Sequence, residues 1–285
     1  MHVVMGATGN VGGAVADALL ARGEAVTVLT RRPDRASIWR DKGARIVQAD
    51  AEDAASLKAA FRMGKRAFLL NPAADPTGDT DSAERRTIAN ILAALDGSGL
   101  EKVVAALTYG AQPGEGIGDL STLWELEEGL RRQSIPAAIN RGAYYMTNWT
   151  GLADVVRQSG SLPSMFPADM PIPMVAPRDL GEAAADRLSS PLDDVGVVYV
   201  EGPELYTPRD VADAFAAALG RKIGLDVTER DRWEETFRSL GFSDAAARSF
   251  TRMTATIVDS DFDRQATPRR GKVTLSEFVS SVLAA

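Results

Sequence analysis

The chain opens with a short apolar run, His2-Val3-Val4-Met5, that feeds Gly6-Ala7-Thr8-Gly9-Asn10-Val11-Gly12. Three glycines at three-residue spacing stand between a strand-like run and a helix pattern. That helix places Val11, Val15, Ala18 and Leu19 on one face and stops near Gly23. A second β-like run, Ala25 to Leu29, follows. The result is a β-α-β unit of ~30 residues, the context in which such glycines cradle a dinucleotide pyrophosphate. The first glycine permits a tight turn, the second lets backbone approach phosphate, and the third lets helix and strand pack closely. The free N–H groups of the helix N-terminus then face the anion. Glycines at this spacing carry little alone, because 25 of 285 residues are Gly. The more usual fingerprint also has a single residue between its first two glycines. The strand and helix on either side make the difference. On this reading Gly6, Thr8, Gly9, Asn10, Val11 and Gly12 are cofactor-binding residues.

Strand and helix patterns go on alternating through the first half. Strands are expected at 45–48, 66–70, 102–107 and 135–140, and helices at 54–61, 81–95 and 123–133, with a glycine-rich loop at 109–119. Such alternation predicts an α/β fold of Rossmann type, a doubly wound parallel sheet with helices on both faces. Ligands of open sheets bind beyond the carboxyl ends of the strands. The second half is less regular. Residues 162–177 carry five prolines with Met165, Met170 and Met174 among them. This suits an adaptable loop or lid over an apolar ligand, and equally a plain crossover. A strand is expected at 197–200, and helices from Pro208, at 230–240, at 244–258 and at 275–283. The expected organisation is a dinucleotide-binding domain at 1–150 and a smaller, mainly helical substrate lobe at 151–285, with some strands returning to the main sheet.

Several functions are excluded by composition. There is no Cys, so no disulfide and no thiolate chemistry, which fits a reducing cytosol. The single His, His2, sits in the first strand, so histidine catalysis and histidine-rich metal sites are not expected. A net charge of −7 argues against nucleic-acid binding. No apolar run approaches the ~20 residues of a membrane span. No signal peptide is visible, and a cytoplasmic location is the expectation.

The end of the second strand selects the cofactor. NAD sites place a carboxylate there for the ribose 2′-OH. Here the sequence reads Thr30-Arg31-Arg32-Pro33-Asp34. A guanidinium pair suits the 2′-phosphate of NADP through charge-assisted, bidentate hydrogen bonds. NADP is therefore favoured, NAD being possible. The alternative is a solvated basic turn partly neutralised by Asp34. Asp50, after the third strand, either faces the adenine or caps the next helix.

These residues resemble a known family. Gly6 to Gly12, the Arg31-Arg32 turn and Asn140-Arg141-Gly142-Ala143-Tyr144-Tyr145-Met146-Thr147-Asn148 look like the NmrA-like branch of the atypical short-chain dehydrogenases. So do Pro177-Arg178-Asp179-Leu180-Gly181, Val200-Glu201-Gly202-Pro203-Glu204, and the stretch from Pro268 to Leu275. The branch contains NAD(P)H-dependent quinone and azo-dye reductases, isoflavone-type reductases, and redox-sensing regulators that bind NADP without turning it over. The resemblance implies a Rossmann domain with a small C-terminal substrate lobe, and Asn71 near the cofactor.

The chain departs from standard short-chain dehydrogenases, which place Lys four residues after a catalytic Tyr. Tyr109, Tyr144, Tyr145, Tyr199 and Tyr206 are followed at that distance by Pro113, Asn148, Trp149, Pro203 and Asp210. Where some members of the branch carry a Lys on the helix before the sixth strand, this chain is expected to place Leu123. Carbonyl chemistry with a dedicated proton donor is therefore disfavoured. Hydride transfer to a quinone or azo acceptor asks only for contact and exclusion of water. Tyr109, Tyr144, Tyr145, Asn148 and Trp149 are candidate lining for such a planar acceptor, each with core packing as its alternative. Two functions are carried forward: an NADP-preferring reductase of quinone-like acceptors, and a non-catalytic NADP(H)-sensing regulator with a protein partner. A nucleotide-sugar epimerase or dehydratase is counted against by the same missing pair and the small second lobe. The acceptor and the oligomeric state are not encoded in any motif.

Overall fold

The protein is described by a computed structural model covering residues 1–260 and 267–284. Its strands are β1 His2–Val4, β2 Val26–Thr30, β3 Arg45–Gln48, β4 Arg66–Leu70, β5 Lys102–Thr108, β6 Ala137–Gly142, β7 Tyr144–Tyr145, β8 Ser161–Ser164, β9 Ile172–Val175, β10 Gly196–Glu201, β11 Leu205–Tyr206, β12 Gly224–Val227 and β13 Arg269–Arg270. The helices of the first half are α1 Asn10–Ala21, α2 Ser37–Asp41, α3 Ala54–Phe61, α4 Thr80–Leu95 and α5 Asp119–Arg131. Those that follow are α6 Met146–Thr150, α7 Ala153–Ser159, α8 Pro177–Ser189, α9 Pro208–Leu219, α10 Trp233–Ser239, α11 Asp244–Val258 and α12 Leu275–Leu283.

Eight strands form one sheet in the order β3-β2-β1-β4-β5-β6-β10-β13, with every neighbouring pair parallel. This is the Rossmann-type doubly wound architecture. The alternation of side chains along each strand explains the apolar runs of the sequence. Val4 and Phe68 point into one layer, with Val15 and Leu19 of α1 and Leu188 of α8. Their neighbours Val3 and Leu69 point into the other, with Phe61 of α3, Ile91 and Leu95 of α4 and Leu126 of α5. Both faces are covered, so both residues of each pair must be apolar. Helices α1 and α8 cross closely at Gly181, where a Cβ would lie 2.5 Å from the carbonyl carbon of Ala14.

Winding starts at β1 and runs outward in both directions. The reversal falls between β1 and β4, and a crevice opens there beyond their carboxyl ends. At the opposite end of the sheet, fully buried Lys102 donates to Ser190 Oγ and Pro191 O, both at 2.8 Å. That end is sealed by the turn after α8.

A third apolar cluster gathers Met146 and Trp149 of α6, Phe166, Met174 of β9, Phe215 of α9 and Val279 of α12. The proline-rich stretch 162–177 builds this cluster instead of lying over a site. β8 pairs parallel with β12, and β9 pairs with β11 and β7. Met174 is fully buried, so of the two alternatives the structure shows a crossover containing two strands. α8, which carries no expectation from periodicity, is the helix that packs on α1. α5 begins at Asp119, four residues before the expected start, because the apolar pattern cannot register a first turn of Asp-Leu-Ser-Thr. Among the described residues no helix is long and apolar enough to cross a membrane.

Candidate functional site: a dinucleotide crevice at the sheet reversal

The three glycines do three different jobs. Gly6 turns the chain out of β1 with φ +68°, and a Cβ there would sit 2.6 Å from Leu70 Cδ2. Gly12 lies against the preceding turn, where a Cβ would stand 2.5 Å from Met5 O and collide with the Gly6 carbonyl. Gly9 is different. Its hypothetical Cβ meets only Gly6 O at 3.4 Å, an ordinary contact. The fold does not need a glycine at position 9, and the space over its backbone is open to a ligand. Gly9 is also the N-cap of α1, with no side-chain cap and no acidic residue in the first turn. The helix therefore presents bare N–H groups and the positive end of its dipole to the crevice. Thr8, Gly9 and Asn10 are exposed there, whereas the Val11 side chain is buried in the core, leaving its backbone to the crevice side.

A cavity of about 420 Å³ occupies the crevice. Gly6 and Thr8 form one side, Leu29 to Arg31 come from the end of β2, and Ala49 to Glu52 follow β3. Pro72 to Asp75 follow β4, and Ala83, Arg86 and Thr87 of α4 close it. The structure thus brings Gly6 and Thr8, Arg31 and Asp50 together from three separate segments. Arg32 is exposed beside the cavity but does not line it; its N–H donates to Thr30 Oγ1 at 3.1 Å, shaping the turn. Among the described residues Asp34 makes no ion pair with either arginine. Asp50 lines the cavity and accepts from Glu52 N at 3.1 Å, while the cap of α3 is Asp53, which accepts from Ala55 N and Ser56 N. Asn71 stands at the end of β4, where its Oδ1 accepts a 2.6 Å hydrogen bond from Thr87.

The aromatic candidates gather elsewhere, at the β5–β6 side of the crevice. None of them lines this cavity. Tyr109 is buried; its hydroxyl donates to Glu201 Oε1 at 2.7 Å and its ring meets Tyr199 edge-on at 4.8 Å. Burial and the Glu201 carboxylate hold this phenol far above its ordinary pKa. Tyr144 packs with Trp149 and Phe166 at ring distances of 5.7 and 5.2 Å. Burial pushes its pKa up to about 12, and Asn148 hydrogen-bonds it. Trp149 is buried in the third cluster and Asn148 is exposed. Tyr145 is raised chiefly by burial and further by the charge of Asp119. Leu123 packs against the second core layer, so this position offers no proton.

Sequence reading missed a carboxyl pair at the same side. Glu84 of α4, 4 % exposed, accepts from Thr122 Oγ1 at 2.7 Å and is hydrogen-bonded to the carboxyl of Asp119. Two carboxyls can share such a bond only if one keeps its proton. Burial first, and the Asp119 charge second, push Glu84 up to about 8. The signal was available: Glu84 falls on the stripe of Ile88, Ile91 and Leu95, where a carboxylate needs a buried partner. Among the described residues no group of three or more His, Cys, Asp or Glu is placed to hold a metal ion.

A doubly wound sheet with an uncapped helix N-terminus at its reversal, beside a slot with an arginine after β2, defines a protein of the Rossmann fold class, in which this is the place where ligands bind. The chain belongs to the NmrA-like family, which it matches over residues 2–260. It is 21 % identical to an NAD(P)H azoreductase of Xenophilus azovorans over 255 residues, 90 % of this chain and 86 % of that protein. The fold is similar to that of the triphenylmethane reductase of a Citrobacter species (TM-score 0.77, 20 % identity, covering 100 % of this chain and 99 % of the other). It is also similar to an NADPH-dependent quinone oxidoreductase of Escherichia coli (TM-score 0.76, 21 % identity, 99 % of both chains).

Proposed function

We propose that this protein is an NADP-preferring oxidoreductase that transfers hydride to a quinone-like or other planar acceptor. The observation that carries the reading is the cradle at Gly9. It is a glycine that the fold does not require, at an uncapped helix terminus, next to Thr8, which lines the same slot as Arg31. Gly6, Thr8, Gly9 and the backbone of Asn10 to Gly12 would hold the pyrophosphate. Arg31 and Arg32 would take the 2′-phosphate, Asp50 would face the adenosine, and Asn71 would stand near the nicotinamide half. The bound nicotinamide supplies the hydride. The chain's own part is to hold the cofactor and a flat acceptor in contact and keep water away. Tyr144, Tyr145 and Asn148, which keep some exposure after β6, would wall that space, whereas Tyr109 and Trp149 are buried in the core behind them. Relatives acting on azo dyes, triphenylmethane dyes and quinones support a planar, electron-poor acceptor.

The test is oxidation of NADPH and of NADH by purified protein with a panel of quinones and azo dyes. Turnover with at least one acceptor, faster with NADPH, is expected. One observation favours a second reading, a non-catalytic NADP(H) sensor: the Tyr109 hydroxyl is committed to Glu201, and no Tyr has a Lys four residues on. Tight NADPH binding without turnover across the panel would select the sensor.

The cofactor preference has its own expected outcome. Arg31→Ala combined with Arg32→Ala should weaken NADPH about 100-fold, the loss of one or two charge-assisted hydrogen bonds. NADH should change less than about 3-fold. Equal weakening of both, measured by fluorescence titration, would mean that the arginines only solvate a turn.

A further inference from the structure

The cavity has a second cation that the motif at the end of β2 does not account for. Arg86 lines it from α4, and Arg31 lines it from the end of β2. Its neighbour Arg85 turns the other way and grips both carboxylate oxygens of Glu125 at 3.0 Å. Arg86 instead lies on the stripe Ala83, Arg86, Thr87 and Asn90, and Asn90 Nδ2 donates to Ala51 O at 2.9 Å. That bond docks this face of α4 onto the loop after β3, so Arg86, one turn earlier, stands over the same end of the slot.

Of the carboxylates nearby, Glu52 lines the same cavity and Asp79 feels the charge of Arg86, and three make hydrogen bonds of their own. Asp75 accepts from Thr77 N and Oγ1 at 2.9 and 2.8 Å. Asp79 caps α4 through Ser82 N and Oγ at 3.0 and 2.7 Å. Asp50 accepts from Glu52 N. Among the described residues Arg86 makes no ion pair of its own. The floor beneath it is apolar, made of Met5, Leu29, Ala49, Leu57, Leu70 and Pro72. A guanidinium over an apolar floor does not match a phosphate, which would need further N–H donors. It matches the face of a flat heteroaromatic ring, against which Arg stacks and Lys does not.

We propose that Arg86 closes the adenine end of the slot by laying its guanidinium on the ring, dividing labour with Arg31, which reads the 2′-phosphate. This rests on the reading of the crevice as a nicotinamide dinucleotide site.

Calorimetric titration of NADPH and NADH, separately, into wild type, Arg86→Ala and Arg86→Lys tests it. Stacking does not involve the 2′-phosphate, so Arg86→Ala should weaken both cofactors by the same factor, about 5- to 30-fold. Arg86→Lys keeps the charge without the plane and should recover little. Unchanged affinities in Arg86→Ala would overturn the proposal. So would a loss confined to NADPH, which would make Arg86 a phosphate ligand, or full recovery by Lys, which would make it a point charge. If wild type binds neither cofactor, the dinucleotide reading itself fails, a result distinct from all of these. Arg86 is exposed on a helix, so the variants should melt with wild type.

Discussion

Gly9→Asp should bind NADPH at least about 1,000-fold more weakly than wild type while melting within about 2 °C of it. Both halves follow from the geometry of one residue. Gly9 has φ −107° and ψ 179°, extended backbone open to any L-residue. A Cβ there finds room. Asp is also among the preferred N-cap residues, so its carboxylate can accept the free N–H groups of α1 and support the helix. That is why binding must fail: the side chain fills the anion position with a negative charge of its own and opposes the incoming pyrophosphate. Gly12→Ala should do the reverse. Its Cβ would enter the turn at Met5 and Gly6, and the backbone has to shift. A loss of about 3–4 kcal/mol, or on the order of 10 °C in melting temperature, is expected. A thermal melt and an NADPH titration on the two variants separate ligand requirement from chain requirement. Normal NADPH binding by Gly9→Asp would remove the cradle from the functional account.

The second large effect is one of pH. Glu84 is held near 8 in the fold, against 4.5 for an ordinary Glu. Its folded pKa is raised, so the stability it contributes is fully present below about 4.5. It is lost progressively as pH climbs to about 8, because only the unfolded chain ionises freely across that window. Glu84→Gln keeps the shape and cannot ionise. At pH 5 the variant should melt within about 2 °C of wild type, and at pH 9 it should melt on the order of 5 °C higher. Melting curves across pH 5–9 decide the matter. Parallel curves for the two proteins would mean that Glu84 and Asp119 do not share a proton.

The strands and helices of the first half were legible because the sheet is covered on both faces. Parallel strands in that position must be continuously apolar, and the 45–48, 54–61 and 66–70 elements fall where periodicity puts them. Legibility fails where side chains answer to distant partners. The 162–177 stretch looks like a loop because its prolines break every periodic pattern. It is core because β11 and β12, whose residues lie 32 to 63 positions beyond their partners, pair with it. α8 is hard to read as a helix because its buried positions mix Gly181 and Ala183 to Ala185 with the charged Asp179 and Arg187, leaving only Leu180 and Leu188 as bulky apolar markers.

The same division runs through the site. A glycine loop that meets a helix N-terminus after the first strand, and two arginines that follow the second, are legible from the residues alone. These are local facts, set by backbone geometry within about thirty residues. The cap of α3 by Asp53 and the crowding of Gly12 by Met5 and Gly6 are equally local. Long-range packing settles the rest: Leu70 of β4 crowds a Cβ at Gly6, Tyr109 is tied to Glu201, and Arg86 of α4 lines the same cavity as Arg31. These residues are far apart in the chain, and their contact is created by the order in which the strands are laid beside β1.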